Sequence, residues 1–459
     1  MGRGVQPTAR AEGIRWKKIL EMGKPPCELP AHMHGGEDDE VFHMEILSAQ
    51  NSVRHNAAPS EGRSARASER SERAIGDRPL DISRIMPPVE VKGSFLRRKR
   101  WERRSTSAKF LAPLATEMEN GFRRPVRPAR CAWTLGQSVG VMHDGGSRPA
   151  GYSGIERCGS IWVCPHCSAV IRAGRAREIE QAVKYHQERG GTVLFFTGTA
   201  RHHQADTLAV TMDAILEAWR KLTAGRPWKR IKEKYQVSGY IRSIEVTYGG
   251  NGWHPHAHCL LFLDADISPD QLEELRPTLY ELWATCVEKA GGKRPTEKGL
   301  DLQRLDTDGK LLARYLSKVQ DEKKQGWSAG AEMTRSDVKS GRNGSITPFQ
   351  LLDDHPGYDE QTRARLWREY YLVSKGRRAI TWSRGLKERC CIGEVTDADI
   401  LDAAESTVLV WQTSARAYRQ VLRSEPVLLA VALELAEREK WAQLAEIFPR
   451  DDVPPDQWE

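Results

Sequence analysis

Three histidines alternate within five residues in His254-Pro-His-Ala-His258, and the next five residues, Cys-Leu-Leu-Phe-Leu, are almost wholly apolar. On a β-strand, side chains at i and i+2 share a face, so His256 and His258 project together while Ala257 packs on the other side. Neutral imidazole is the commonest protein metal ligand, and the pair makes a grip for an ion. Pro255 has no N–H to give a ladder and belongs at a strand's edge or first residue, which puts His254 in the entering loop. Upstream, Tyr240 to Tyr248 alternates like a strand, and Gly249-Gly-Asn-Gly-Trp253 has the composition of a hairpin connection. Folding the strands back about a centre near residue 251 sets Glu245 opposite residues 256 to 258. Two imidazoles and one carboxylate leave positions open on a hard divalent ion, which suits Mg²⁺ or Mn²⁺ holding phosphate oxygens better than a closed structural zinc.

A second set of ligands lies upstream. Cys158-Gly-Ser-Ile-Trp-Val-Cys164-Pro-His-Cys167 supplies three thiols, and zinc takes four ligands in a tetrahedron. Cys131 is the expected fourth, because a loop of about 26 residues returns to one point at modest entropic cost; His143 and His166 are weaker substitutes. Taken alone, the Cys-Pro-His-Cys segment could be a redox pair. The clustering favours Zn²⁺ in a structural role.

The elements that must position these groups form a consistent series. Gly191 to Thr199 reads as a buried strand rich in β-branched and aromatic residues, and a helix is predicted from about Asp206 to Leu222. The hairpin of 240 to 248 and 255 to 263 comes next. Ser268-Pro-Asp-Gln271 then opens a helix with a capping box and proline at its first position. Leu300 to Leu305 alternates as a further strand, and Lys310 to Val319 carries a helical apolar stripe of Leu311, Leu312, Leu316 and Val319. The order β-α-β-β-α-β plus a helix fits an α+β fold built on a ferredoxin-like split β-α-β antiparallel sheet.

The histidine cluster and its setting, Gly252-Trp-His-Pro-His-Ala-His258, resemble the HUH motif of rolling-circle plasmid replication initiators of actinobacterial type, over about residues 125 to 390. Gly191 to Thr199 is similar to the first motif of that family. The resemblance implies an enzyme that nicks one strand at a plasmid origin with a tyrosine, stays joined to the 5′ phosphate and leaves a 3′ hydroxyl primer. Tyr315 in Leu311-Leu-Ala-Arg-Tyr-Leu-Ser-Lys318 matches the tyrosine motif, with Lys318 on the same helical face to support developing charge. Adjacent Tyr370 and Tyr371 would point about 100° apart on a helix and rank below it. Some such initiators place a glutamate one turn before the tyrosine; here that position is Leu311, which leaves the terminating residue open among Asp308, Asp321 and Glu322. Similar initiators also carry the cysteines, with an Arg-rich helix like Ile171 to Glu178 after them. Segments 334 to 342, 347 to 352 and 375 to 387 resemble stretches downstream of the nuclease core in the same group. Single-stranded and duplex origin DNA, host helicase and DNA polymerase are the implied partners. A transposase or relaxase with the same chemistry, or a zinc-stabilised DNA-binding regulator that does not cut, are the alternatives.

Composition is compatible with a cytoplasmic nucleic-acid enzyme. The chain has 459 residues and a formal net charge of +8, enough for two or three domains. Cysteines outside the cluster show no disulfide framework, as in a reducing compartment. No apolar run is long enough for a membrane span, no secretory h-region opens the chain, and Met1-Gly2 lacks a myristoylation context. No internal repeat stands out. The expected organisation is an Arg-rich, largely disordered region 1–124, serving as a solubilising or DNA-binding arm; a zinc-binding segment and basic helix 125–190; an HUH nuclease core 191–325; a basic extension 326–395; and a helical C-terminal region 396–459. Within the extension, Arg377, Arg378 and Arg384 flank Trp382, a pairing of phosphate contacts with base stacking or, equally, a buried tryptophan on a short strand.

Overall fold

The computed structural model describes residues 92–119, 121–145, 149–305, 345–404 and 408–448. In chain order its main elements are α1 (Lys92–Leu111), β1 (Ser138–Met142), β2 (Gly151–Ser153), α2 (Pro165–Gln187), β3 (Thr192–Gly198), α3 (Leu208–Ala224), α4 (Arg226–Lys234), β4 (Val237–Gly249) and β5 (Gly252–Leu263). Beyond these come α5 (Pro269–Lys289), β6 (Leu300–Leu305), α6 (Glu360–Ser374), β7 (Ile380–Trp382), α7 (Asp397–Ala403), β8 (Leu409–Ser414), α8 (Ala415–Ser424), α9 (Val427–Glu437) and α10 (Trp441–Ile447). The protein is thus α+β with antiparallel sheets.

Five strands make the central sheet in the order β6-β3-β5-β4-β7, every pair antiparallel. Alternation along β5 sorts its residues between two cores. Ala257, Cys259 and Leu261 pack with Met212, Ile215 and Trp219 of α3 and Leu279 and Trp283 of α5. Leu260 and Phe262 face the other way, with Val193, Phe195 and Ile241, beneath Ile179, Ala182 and Val183 of α2. Both helices under the first face are capped as the sequence directs. Thr207 accepts from Val210 N at the start of α3, and Ser268 with Gln271 forms a reciprocal capping box at the start of α5. Gly252, at φ +85°, closes the hairpin; a side chain there would be strained by that φ and would press on the Gln204 Cα at 3.1 Å.

Three expectations are corrected. First, residues 92–111 are not part of a disordered arm. They form α1, with Trp101, Phe110 and Leu111 buried, and the basic run 96–104 finds its acids far away in sequence. Arg98 meets Glu434 of α9 at 2.5 Å, with both side chains almost fully buried; Arg97 meets Glu437 at 2.7 Å and Arg103 meets Asp353 at 2.7 Å. Second, Ile380–Trp382 is no separate extension, since it pairs with β4 as the edge of the central sheet. Third, the C-terminal region is mainly helical, as expected, but adds a strand to another sheet: β8 pairs with β1, completing a second sheet in the order β8-β1-β2. Among the described cysteines seven are free thiols. Among the described residues, no helix is long and apolar enough to cross a membrane.

Candidate metal centres

The hairpin register sets Glu245 opposite His256 and Ser243 opposite His258. Strand parity turns Glu245, His256 and His258 to the α2 side of the sheet, beyond the apolar patch of Phe195, Leu260 and Phe262. Their ligand atoms lie within 4.8 Å of one another. His258 Nε2 is 2.8 Å from Glu245 Oε2, and its Nδ1 is 3.1 Å from the Thr197 hydroxyl on β3. The Phe195 ring stacks on the His258 ring with centroids 5.5 Å apart. Thr197 and Phe195 therefore fix the ring from two sides, as the outer partners of metal-binding histidines do.

His254 is not in a loop. It belongs to β5, opposite Thr247, and its ring stands 4.2 Å from that of His256 and 4.5 Å from that of His202. The strand accommodates Pro255 because the β3 ladder stops at Ala257, so beyond that point a missing N–H breaks no bond on that side. Burial, and then the neighbouring His202, push the His254 pKa down to about 4. Thr197 was legible in principle from its parity with Phe195. His202 carried no periodic signal, because it lies past the end of β3.

The donor set could hold a metal ion. Two nitrogens and one carboxylate oxygen converge, and among the described residues no fourth His, Cys, Asp or Glu joins them.

Cys131, Cys158, Cys164 and Cys167 also converge, all buried. Four sulfurs bound at about 2.3 Å to one tetrahedral centre stand about 3.8 Å apart. The measured separations are 3.4 Å for Cys131 to Cys164, 3.7 Å for Cys131 to Cys167 and 3.8 Å for Cys158 to Cys167. Hydrogen bonding from the Cys158, Cys164 and Cys167 thiols holds the Cys131 thiol well below its usual range. Cys164 also caps α2, accepting from Cys167 N at 3.4 Å, with Pro165 at the first position. The guanidinium of Arg104 on α1 donates to the Cys131 carbonyl at 2.8 Å. His166 and His143 stay out of the cluster; the His166 ring lies against Trp101 at 4.2 Å.

The remaining predicted residues are dispersed. Tyr315 and Lys318, with Leu311, Asp308, Asp321 and Glu322, lie outside the described residues, as does segment 334–342. Tyr370 and Tyr371 are buried on α6, and burial raises both phenols, Tyr370 well above its ordinary value. Neither is placed to attack a phosphate. Trp382 lies opposite Ile241 on the edge strand, with Lys387 Nζ 5.4 Å from its ring centre. Arg377 is engaged by Asp213 and by the Val373 carbonyl, while Arg378 and Arg384 are exposed.

Comparison with known proteins adds an independent line. A family model described as "Replication protein" matches residues 157–276, a span holding three of the four clustered cysteines and the whole of β3, β4 and β5. A Streptomyces lividans protein named "Protein rep" is 33% identical over 309 residues, covering 54% of this chain and 67% of the relative. A Streptomyces cyanogenus protein named "Neomycin resistance protein" is 36% identical over 135 residues, 24% of this chain and 31% of its own. A "Protein rep" from Streptococcus pneumoniae is 26% identical over 107 residues, 22% of this chain and 31% of its own. No solved structure matches.

Proposed function

This chain belongs to the Rep family of plasmid replication proteins, and from that premise we propose that it initiates rolling-circle replication by nicking one strand of its plasmid origin as an HUH endonuclease. The observation that carries the reading is the convergence of Glu245, His256 and His258 within 4.8 Å on one sheet face. The order β6-β3-β5-β4, with helices α3 and α5 between its strands, supports a ferredoxin-like core for that face. Glu245, His256 and His258 would hold Mg²⁺ or Mn²⁺, which supplies Lewis-acid polarisation of the scissile phosphate when bound.

The protein's own groups do the rest. Tyr315 lies about ten residues beyond the end of β6, at most about 35 Å of extended chain, which is ample to reach over the sheet. Its phenolic oxygen attacks phosphorus and gives up its proton to solvent or a nearby base. The bond from phosphorus to the 3′ oxygen breaks, and that oxygen takes up a proton to become the primer hydroxyl. Lys318 offsets the charge that builds on the phosphate, and the 5′ end remains on Tyr315 as a phosphodiester whose energy is kept for rejoining. The four cysteines would hold Zn²⁺ as a structural brace. Arg378 and Arg384, with Trp382 at the sheet edge, would line the path of the single strand.

The test incubates purified protein with Mn²⁺ and end-labelled single strands tiled over the replicon that encodes it. A denaturation-resistant adduct is expected, absent with chelator and absent in Tyr315→Phe. An adduct that persists in Tyr315→Phe would reject this nucleophile; no adduct on any origin strand would reject the nicking mechanism.

A further inference from the structure

Helix α8 carries a stripe of cations that none of these roles uses. Arg416, Arg419, Gln420 and Arg423 keep the i, i+3, i+4, i+7 spacing of one helical face, and all four are exposed. Ala415, Tyr418, Val421 and Leu422 on the other side are buried. The stripe is held firmly. Tyr418 packs against Tyr152 at 5.3 Å and Phe448 at 6.3 Å, Ser414 caps the helix by accepting from Ala417 N at 3.2 Å, and the strand feeding it pairs with β1 through Ser414 and Ser138. The helix contains no acidic residue, and no carboxylate among the described residues pairs with these arginines. Arg419 donates to the Thr134 hydroxyl at 3.2 Å, which ties the stripe to the segment that begins at Cys131.

Arginine and glutamine are the side chains that read guanine and adenine edges bidentately in the major groove. A helix of ten residues is about 15 Å long, enough to lie in a groove about 12 Å wide. We propose that α8 is a duplex-DNA recognition helix, with Arg416, Arg419, Gln420 and Arg423 entering the major groove of the origin. The proposal rests on the Rep reading for its target and assigns duplex recognition to a surface separate from the Glu245, His256, His258 face. The exposed face, with three arginines and no carboxylate, matches the polyanionic duplex in charge.

The experiment titrates the full chain with fluorescent duplexes tiled over the same replicon, across a salt series, and measures adduct formation on the corresponding single strands in parallel. One tile should bind most tightly. The triple variant R416A/R419A/R423A should bind it at least ~30-fold more weakly, with the slope of log affinity against log salt reduced by about 2 to 3. The triple lysine variant should regain the salt slope but not the preference for that tile, which also excludes misfolding as the cause. Gln420→Ala should narrow that preference further. Unchanged duplex affinity and preference in the triple alanine variant would overturn the proposal. So would wild-type protein that forms the single-strand adduct yet binds no duplex, an outcome that leaves the Rep reading standing. Wild type with neither adduct nor duplex binding removes both.

Discussion

The sulfur cluster and the histidine–carboxylate group gather ligands in opposite ways. Cys131, Cys158, Cys164 and Cys167 come from a loop and a helix start, are all buried, and supply four ligand atoms within 4.8 Å of one another. Glu245, His256 and His258 come from one hairpin, keep partial exposure at two of three positions, and leave the sphere incomplete. A hairpin fixes the spacing of its own side chains through register alone, so the second group needs little outside help beyond Thr197 and Phe195. The cysteines need tertiary packing to meet, and a metal there would in turn lock that packing. A closed site braces; an open one can hold a substrate oxygen.

The largest effect is expected at the closed site. Cys164→Ser should release bound zinc, measured by elemental analysis, and cost on the order of 5 kcal/mol in chemical unfolding or prevent folding outright. Next, His258→Ala should lower adduct formation about 10³-fold while zinc content and unfolding midpoint stay at wild-type values. Equal loss of stability in both variants would erase the distinction between brace and reaction site. Third, Glu434→Gln should destabilise by roughly 3 kcal/mol, because Arg98 would be left as a buried charge without its partner. Since α1 also carries Arg104 to Cys131, proteolysis of that variant should begin around the sulfur cluster, whereas the Mn²⁺ affinity of the hairpin should hold. The smallest effect is at Thr197→Val, which removes the hydroxyl from His258 Nδ1. It should weaken Mn²⁺ binding about 10- to 100-fold in calorimetry and leave zinc content alone. A larger loss there would mean that Thr197 acts on the reaction itself.

Legibility tracked sequence distance. Glu245 opposite His256 was readable because both lie on one hairpin, and a turn near residue 251 determines their register. The capping box at Ser268, the apolar strand of 192–198 and the helix α3 were readable for the same reason. The features that escaped all depend on a distant partner. The basic run of 96–104 resembled a disordered arm because Glu434, Glu437 and Asp353, which take up its charges, lie hundreds of residues away. His202 reaches the histidine row from the end of another strand, and His254 entered β5 only because the β3 ladder ends before Pro255.

By itself the amino-acid sequence determined the histidine–carboxylate set, the grouping of Cys158, Cys164 and Cys167, the capping box at Ser268 and the alternation that divides β5 between two cores, since each depends on backbone geometry within a few residues. Only the tertiary structure decided that Cys131 rather than a histidine completes the sulfur group, that Tyr370 and Tyr371 are buried core, and that β7 and β8 extend two different sheets. Those outcomes turn on which surfaces compete for burial after the chain has closed on itself, and neither strand period nor helix period carries that information.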